Sequence, residues 1–494
     1  MLFYELLNAA FSEGDFVMIS DTSHNFEVSS VVCHSKAAQE NSVFVAINGT
    51  NHNGSAYAFE AVQNGAKAII TDLRAEIPAL LALRASIILV NQAAIAFALL
   101  VQQEHHRPDK QLSLFGITGT NGKTSTAWTI AKLLENCGVP SAFIGTLGSV
   151  CKDKWIATNN TTPDAGLLYS LFDNYAAQGV RAVAMEVSSH SLVQNRAYGM
   201  TFEVGIFTNL TRDHLDFHKT MENYGAAKAK LFDQCQCGII NIDDPFGKKL
   251  AKTIPCKAVT CSLNPGTANY TAKILEQTMN GTAFELTLPD GRTFETANVT
   301  PGLFNVQNAL EALAACAEHG IDPEALCTAL PKIASVPGRF EKIPNQFGIH
   351  IIVDYAHTPD GVEKVLHCAR ELTSGKLISV FGCGGNRDVP KRFMMGRLSG
   401  EIADYTVITC DNPRTENEFD IACACVDGCE DIGGSYTVIM DREKAIQHAI
   451  SVASDGDTVV VMGKGHETYQ LMDGLKFPFD DKQAIQKALT LRQR

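Results

Sequence analysis

The sequence predicts an α/β protein built on parallel sheets and divided into three domains. An apolar run passes through a glycine-rich turn into a helical stretch, LSLFGIT–GTNGK–TSTAWTIAKLLENCG, from Leu112 to Gly138. The last third of the chain alternates short apolar runs with helical stretches: IHIIVDYA, KLISVFGCGG, DYTVIT and DTVVVMGKG. That alternation builds βαβ units and a parallel sheet. With 494 residues the chain exceeds a single core, and domain-size priors give about three domains.

Residues 1 to 108 form the first segment, which ends in the polar stretch QQEHHRPDKQ. Within it, ASIILVNQAAIAFALLV is broken by Asn91 and Gln92 and reads as a strand followed by a helix, not a membrane span. The opening MLFYELLNAAFSEGD has no basic region before its apolar residues, so no signal peptide and a cytoplasmic location are expected. The second segment, 109 to 336, opens with the LSLFGIT strand. PGRFEKIPNQFG, Pro337 to Gly348, reads as the linker that begins the third segment, 337 to 494.

Hydrophobic residues make up 45% of the chain and net charge is −13. An acidic chain is a poor partner for a nucleic-acid backbone. It still admits small anionic ligands, which need only a locally cationic pocket. The 15 cysteines are scattered, with CACVDGC the densest cluster, and read as core thiols of a reducing compartment.

GITGTNGKTST, Gly116 to Thr126, is a phosphate-binding candidate because turn N–H groups and a helix N-terminus cradle phosphate. Lys123 would reach the β- and γ-phosphates and Thr124 would ligate Mg²⁺. The strict pattern places glycine five positions before Gly122; Ile117 stands there, straddled by Gly116 and Gly119. The alternative is a tight turn without ligand. RAVAMEVSSHSLVQNR is a strand ending at Glu186, a candidate metal carboxylate, with Ser188, His190, Gln194 and Arg196 in a polar loop after it. A salt-bridged strand-end glutamate is the competing explanation. His214, in TNLTRDHLDFH after the strand FEVGIF, is a metal or phosphate candidate.

YGAAKAKLF, read as a helix, puts Tyr224, Lys228, Leu231 and Phe232 on one face and leaves Lys230 solvated. An ammonium on that apolar stripe is costly. Snorkelling to water is the default relief; pairing with phosphate or conversion to a carbamate by CO₂ are the other two.

Taken together and in order, GTNGKTS, NNTTPD, MEVSSHSLVQNR, NLTRDHLDFH, YGAAKAKLF, GLFNVQNAL, PGRFE, VDYAHTPDG, GCGGNRD, DNPRTE and GKGHETYQ resemble the Mur ligases, ATP-dependent amide-bond-forming enzymes of peptidoglycan synthesis. The resemblance implies an N-terminal domain binding the UDP end of the substrate, a central ATPase domain and a Rossmann-like C-terminal domain. It implies a monomeric cytoplasmic enzyme that uses ATP and Mg²⁺. Its partners are UDP-N-acetylmuramoyl-L-Ala-D-Glu and meso-diaminopimelate, with no nucleic acid and no membrane.

By the same resemblance, Gly116, Gly119, Thr120, Asn121, Gly122, Lys123, Thr124 and Ser125 hold the phosphates. Asn305 and Asn308 meet adenine, and Arg339 and Asp354 reach ATP. Thr124, Glu186, His214 and Lys228, the last as a carbamate, serve the metal. Lys123, Glu186, His214 and Lys228 form the catalytic set. Thr161, Thr162, Ser188, Gln194 and Arg196 meet the muramoyl-dipeptide. Ser35 stands at a uridine-contact position, although His34 replaces the family's Asp and Asn53 begins where its Asp-Gly pair would. Arg387, Asp411, Asn412, Pro413, Arg414, Gly463 and Glu467 match the amino-acid site. Arg414 offers a planar fork for the carboxylate that lysine lacks, and Glu467 a partner for the distal ammonium. Competing functions are a lysine-adding ligase, a folylpolyglutamate synthase, a nucleotide switch without ligase chemistry, and a Rossmann oxidoreductase suggested by GCGGNRD.

Overall fold

The computed structural model describes residues 1–49, 53–152 and 154–492. Thr50, Asn51 and His52, part of the N-terminal stretch compared with the family above, lie outside the described residues. The chain forms two compact units. One comprises 1–118, 138–205 and 227–237; the other comprises 119–137, 206–226 and 238–494.

In the first unit, a five-stranded sheet runs in the order Phe16–Ser20, Ser86–Val90, Ala66–Thr71, Ser42–Val45, Ser30–Val32. The first pair is antiparallel and the rest are parallel. ASIILVNQAAIAFALLV resolves as expected into the strand Ser86–Val90 and the helix Ala93–Glu104. A second group of parallel strands places Ala182–Glu186 between Ser113–Thr118 and Ser141–Gly145. Gly148–Cys151 and Lys154–Ile156 extend it antiparallel.

In the second unit, the alternation read from the last third of the sequence yields a six-stranded sheet. Its order is Glu341–Lys342, His350–Asp354, Thr458–Met462, Leu377–Phe381, Tyr405–Ile408, Tyr436–Val438. All neighbours but the first pair are parallel. Helices Pro359–Leu372, Pro390–Ile402 and Glu418–Asp431 bury one face, and Arg442–Val452 and Asp481–Arg492 the other. The sheet is therefore doubly wound, with ligand-binding loops expected at its carboxyl ends.

Three local expectations are corrected. The stretch read as a linker contains Glu341–Lys342, whose backbone pairs with Ile352 and Val353 and closes the sheet edge. The polar loop after Glu186 is a short helix, Ser189–Val193, because the Ser188 hydroxyl accepts from the Ser191 N–H and caps it. The helix carrying Lys228 ends at Ala229 and tightens into a 3₁₀ turn over Lys230–Gln234. Of the cysteine cluster, Cys425 and Cys429 are buried core thiols and Cys423 is exposed.

Arg442 and Asp481 begin the two helices of one face. Their side chains are 0% exposed and meet at 2.7 Å, Arg442 Nε to Asp481 Oδ1. Arg442 Nη2 also donates to Met462 O at 2.9 Å, tying both helices to a strand end. Removing one partner strands the other charge in the core. Asp481→Ala should therefore cost about 3–5 kcal/mol in a denaturant titration, with the midpoint lowered and the slope unchanged.

Candidate functional site

The loop read from sequence as a phosphate-binding candidate is shaped by close backbone approach. Gly119 and Gly122 have φ of +151° and +88°; a Cβ would lie 1.8 Å from Thr208 Oγ1 at the first and 2.3 Å from Asn308 Oδ1 at the second. The loop is clamped onto residues 208–211. Thr120 N donates to Asn209 O at 2.9 Å, Asn121 N to Asn209 Oδ1 at 2.9 Å, and Thr208 Oγ1 to Asn121 O at 2.6 Å. Gly116 serves packing instead, since it lies within the strand Ser113–Thr118, where a Cβ would meet the Phe202 ring at 2.8 Å.

Lys123 begins the helix Lys123–Asn136, and its Nζ donates to Gly119 O at 3.0 Å and Thr120 O at 2.8 Å. The Thr124 hydroxyl accepts from Arg339 Nη2 at 3.0 Å. Arg339 stacks on Tyr355 at 4.4 Å. Asp354 accepts from Phe340 N and Ala356 N, each at 2.6 Å, and so holds the turn that aims Arg339. Burial raises the pKa of Asp354 against the Arg339 charge and these two N–H groups. Ser125, Asn305, Asn308 and Arg339 line one narrow cleft with Ile333 and Val336 on its apolar side. Four residues proposed from sequence for one nucleotide thus share one cavity.

His214 sits at φ +52°, with its N–H donating to Asp213 Oδ1 at 2.9 Å and its Nε2 3.3 Å from Asp213 Oδ2. Burial would raise Asp213, but the His214, His357 and Lys391 charges outweigh it and bring its pKa to about 2. His357 is lowered as well, to about 4, through burial and the nearby Lys391 charge. Asn121 Nδ2 donates to Asp360 Oδ2 at 2.7 Å. Asp213, Tyr355, His357 and Asp360 were not singled out from sequence, although each lies inside a quoted motif. Among the described residues, no three His, Cys, Asp or Glu side chains converge as a metal-binding group. The set named for Mg²⁺ draws only one Glu and one His, with a threonine hydroxyl and a lysine.

In the first unit, Glu186 is buried at its strand end. Its Oε1 accepts from Thr146 N at 2.8 Å and its Oε2 from Thr146 Oγ1 at 3.2 Å. Thr161 Oγ1 lies 3.1 Å from Thr146 Oγ1, and Thr162 Oγ1 donates to Glu186 O at 2.9 Å and accepts from Ser188 N at 3.0 Å. Arg196 donates to Thr162 O and Gln194 Oε1, both at 2.7 Å. Thr161, Thr162, Glu186, Ser188, Gln194 and Arg196 are therefore one connected network. His190 stands on its short helix. Ser35 is buried, its hydroxyl tied to Glu60. Lys228 is 1% exposed and Ala227, Leu231 and Phe232 beside it are buried, which removes snorkelling from the three ways of relieving its charge.

The loops after three strands of the six-stranded sheet bring the remaining candidates together. Lys464 Nζ lies 3.1 Å from Asp411 Oδ1, 3.0 Å from Asn412 Oδ1 and 3.3 Å from Glu467 Oε2. Asn412 Nδ2 also donates to Glu467 Oε2 at 2.9 Å. At Gly463, with φ +111°, a Cβ would lie a tight 3.1 Å from Asp411 Oδ2. Arg414, at φ +58°, donates from Nη1 to Gly385 O at 2.7 Å. No described carboxylate pairs with it. Burial and the neighbouring Arg387 charge both lower its pKa. Pro413 O lies 1.9 Å from a Cβ position at Gly385, which explains the glycine pair of GCGGNRD as packing.

Residues 117–316 match the Mur ligase middle domain, and residues 338–465 match the Mur ligase, glutamate ligase domain. The chain is 39% identical over 464 residues to the UDP-N-acetylmuramoyl-L-alanyl-D-glutamate–2,6-diaminopimelate ligase 1 of Clostridium acetobutylicum, covering 93% of this chain and 94% of that protein. A solved structure of a UDP-N-acetylmuramoyl-L-alanyl-D-glutamate–2,6-diaminopimelate ligase superimposes with a TM-score of 0.66 at 32% identity, over 97% of this chain and all of that one. The fold also matches the MurF ligase of Thermotoga maritima in complex with ADP, with a TM-score of 0.62 at 18% identity over 96% of this chain and 100% of that chain.

Gly122→Ala adds both a strained backbone and a clash with Asn308, whereas Gly138→Ala, at φ +85° with nothing within 4 Å, adds only the strain. In thermal-shift titrations Gly122→Ala should lose the stabilisation given by ADP and Gly138→Ala should keep it.

Proposed function

Because the chain belongs to the Mur ligase family, we infer that it joins meso-diaminopimelate to the D-glutamate carboxylate of UDP-N-acetylmuramoyl-L-Ala-D-Glu at the expense of ATP. A carboxylate is a poor electrophile near neutral pH. Transfer of the γ-phosphoryl group makes an acyl phosphate; attack by the amine forms the amide and expels phosphate, leaving ADP. The protein's part is alignment and charge neutralisation.

Residues 1–108 take the UDP end, 109–336 the ATP and 337–494 the amino acid. The helix N-terminus at Lys123, with Lys123 itself, meets the phosphates, and Asn305, Asn308 and Arg339 the nucleoside end of the cleft. Thr161, Thr162, Ser188, Gln194 and Arg196 orient the peptidyl carboxylate. Thr124, Glu186, His214 and Lys228, as a CO₂-derived carbamate, would hold Mg²⁺, whose charge offsets that building on the phosphates. Oxygen donors suit that ion, and a carbamate on the buried Lys228 would add one. The enzyme acts as a cytoplasmic monomer; no described helix is long and apolar enough to cross a membrane.

The observation that carries the choice of amino acid is Arg414, a half-buried cation held at Gly385 O, with no described carboxylate within ion-pair distance and Asp411 and Glu467 acting on it only from further off. Meso-diaminopimelate supplies the carboxylate; lysine would leave the cation unpaired, and sites built this way discriminate strongly.

The test is phosphate release with UDP-muramoyl-dipeptide and ATP, with diaminopimelate or lysine as the third reactant. Only diaminopimelate should support turnover, and the product should gain its mass. Arg414→Ala should raise KM for diaminopimelate by about 10- to 200-fold and leave KM for ATP within a factor of about two; parallel loss on both substrates refutes the role. Lys228→Ala should be nearly inactive and regain part of its rate with added short carboxylic acids. Full activity in CO₂-depleted buffer would refute the carbamate.

A further inference from the structure

Lys464 was not among the residues the sequence suggested, yet its ammonium is 0% exposed and reaches two loops at once. Asp411 and Asn412 follow the strand Tyr405–Ile408, while Lys464 and Glu467 follow Thr458–Met462. Those strands are not neighbours; Leu377–Phe381 lies between them. The ammonium therefore bridges across the intervening GCGG loop, whose Gly385 N donates to Asn412 O at 2.9 Å and whose Gly385 O holds Arg414.

The bonding also divides the Glu467 carboxylate. Its Oε2 accepts from both Lys464 and Asn412. Its Oε1 has no hydrogen bond to any described residue. A carboxylate so anchored has one oxygen fixed by the protein and one left for a ligand ammonium. The Asn412 Oδ1 that accepts from Lys464 also accepts from Leu471 N at 2.9 Å, and Arg414 N donates to Leu471 O at 3.0 Å. One buried ammonium thus sets the spacing between the acceptor for an ammonium and the fork for a carboxylate.

We propose that Lys464 is a positioning residue for the amino-acid substrate. It anchors Glu467 Oε2 to the Asp411–Asn412 turn so that Oε1 receives the distal ammonium while Arg414 receives the distal carboxylate. This rests on the proposed function and adds to it how the two ends of the site are kept in register.

A pH signature follows. Glu467 must be ionised to receive an ammonium. Burial raises its pKa, Asp411 adds to the rise, and Lys464 and the Asn412 amide oppose it. Tyr355, Tyr469 and Arg414 also face it. With Lys464 gone, the opposing charge is lost and Glu467 protonates at higher pH. The acid limb of kcat/KM for diaminopimelate then moves to higher pH.

The experiment compares wild type with Lys464→Gln, Lys464→Arg, Glu467→Gln and the Lys464→Gln/Glu467→Gln double variant. Expected are a rise of tenfold or more in KM for diaminopimelate in Lys464→Gln, an unchanged KM for ATP, and a displaced acid limb that Lys464→Arg brings back. The double variant should be no worse than Glu467→Gln alone, because both act at one oxygen pair. An unchanged KM for diaminopimelate, an acid limb that stays put, or losses that multiply in the double variant would overturn the proposal. If Lys464→Gln does not fold, Glu467→Gln decides: its acid limb must disappear, and a wild-type limb overturns the proposal. A wild-type enzyme inactive with diaminopimelate would overturn the function and this inference together; wild-type turnover with an unaffected Lys464→Gln would overturn the inference alone.

Discussion

Charge taken out of water at the ends of parallel strands has to be met by charge or by aligned dipoles, and that requirement organises the second unit. An unpaired buried ion costs several kcal/mol, so each one recruits a partner from a different segment. Arg442 recruits Asp481 and the Met462 carbonyl. Arg392, itself buried, meets Glu416 at 2.8 Å, and Glu416 in turn accepts from the Asn386 N–H. Asp354 recruits two backbone N–H groups from either side of its own strand. Lys464 recruits three acceptors. Each of these charges has at least one bond to a separate stretch of backbone, so meeting the charge and fixing the loop geometry are the same event.

Arg414 is informative because it departs from that pattern. Its charged neighbours are Arg387 on one hand and Asp411 and Glu467 on the other, none of the carboxylates at ion-pair distance; its backbone occupies the left-handed region at φ +58°, and a single carbonyl oxygen holds its guanidinium. Residues held in strained backbone beside like charge persist when surrounding structure over-determines them. Here the surroundings are the Asp411–Asn412 turn and the Leu471 backbone, both tied to Lys464. A net charge of −13 does not conflict with a cationic pocket, since exposed charges beyond a Debye length are screened while a half-buried pair is not.

Much of this was legible in the chain. Period and composition gave the strands: FEVGIF became Phe202–Phe207 and DTVVVMGKG became Thr458–Met462 followed by its polar loop. Loop residues after those strands were identified as candidates because ligands gather at strand carboxyl ends. What stayed hidden was pairing across distance. Nothing local in PGRFE says that Arg339 will bond Thr124, 215 positions away. A lone lysine between glycines, as in GKG, looks like a solvated loop residue, and only the fold shows it buried among acceptors. Snorkelling was the natural default for Lys228 because sequence reports the apolar stripe but not how deeply the stripe is covered. Of two glycines straddling Ile117, spacing alone could not assign the roles; packing against Phe202 gives Gly116 to the strand, and close approach to Thr208 gives Gly119 to the loop.

The departure from the strict phosphate-loop spacing then has a physical account. A loop of that type needs N–H groups held open toward a ligand, and length is only one way to hold them. In this chain the 208–211 segment does the holding, through Thr208 and Asn209 on the Asn121 carbonyl and Thr120 backbone. The result is a 14-residue helix, Lys123–Asn136, whose N-terminus faces two cations, Lys123 and Arg339. Positive charge beside the positive end of a helix dipole is unfavourable on its own and favourable once an anion lies between them. Lys123 meanwhile turns to the Gly119 and Thr120 carbonyls, and Arg339 to a hydroxyl and an aromatic face. Hydrogen bonds to the charged oxygens of a phosphate chain are stronger than these bonds to neutral oxygens, so an anion bound at the loop would compete for both side chains. An anion at this loop would thus find both cations already in place.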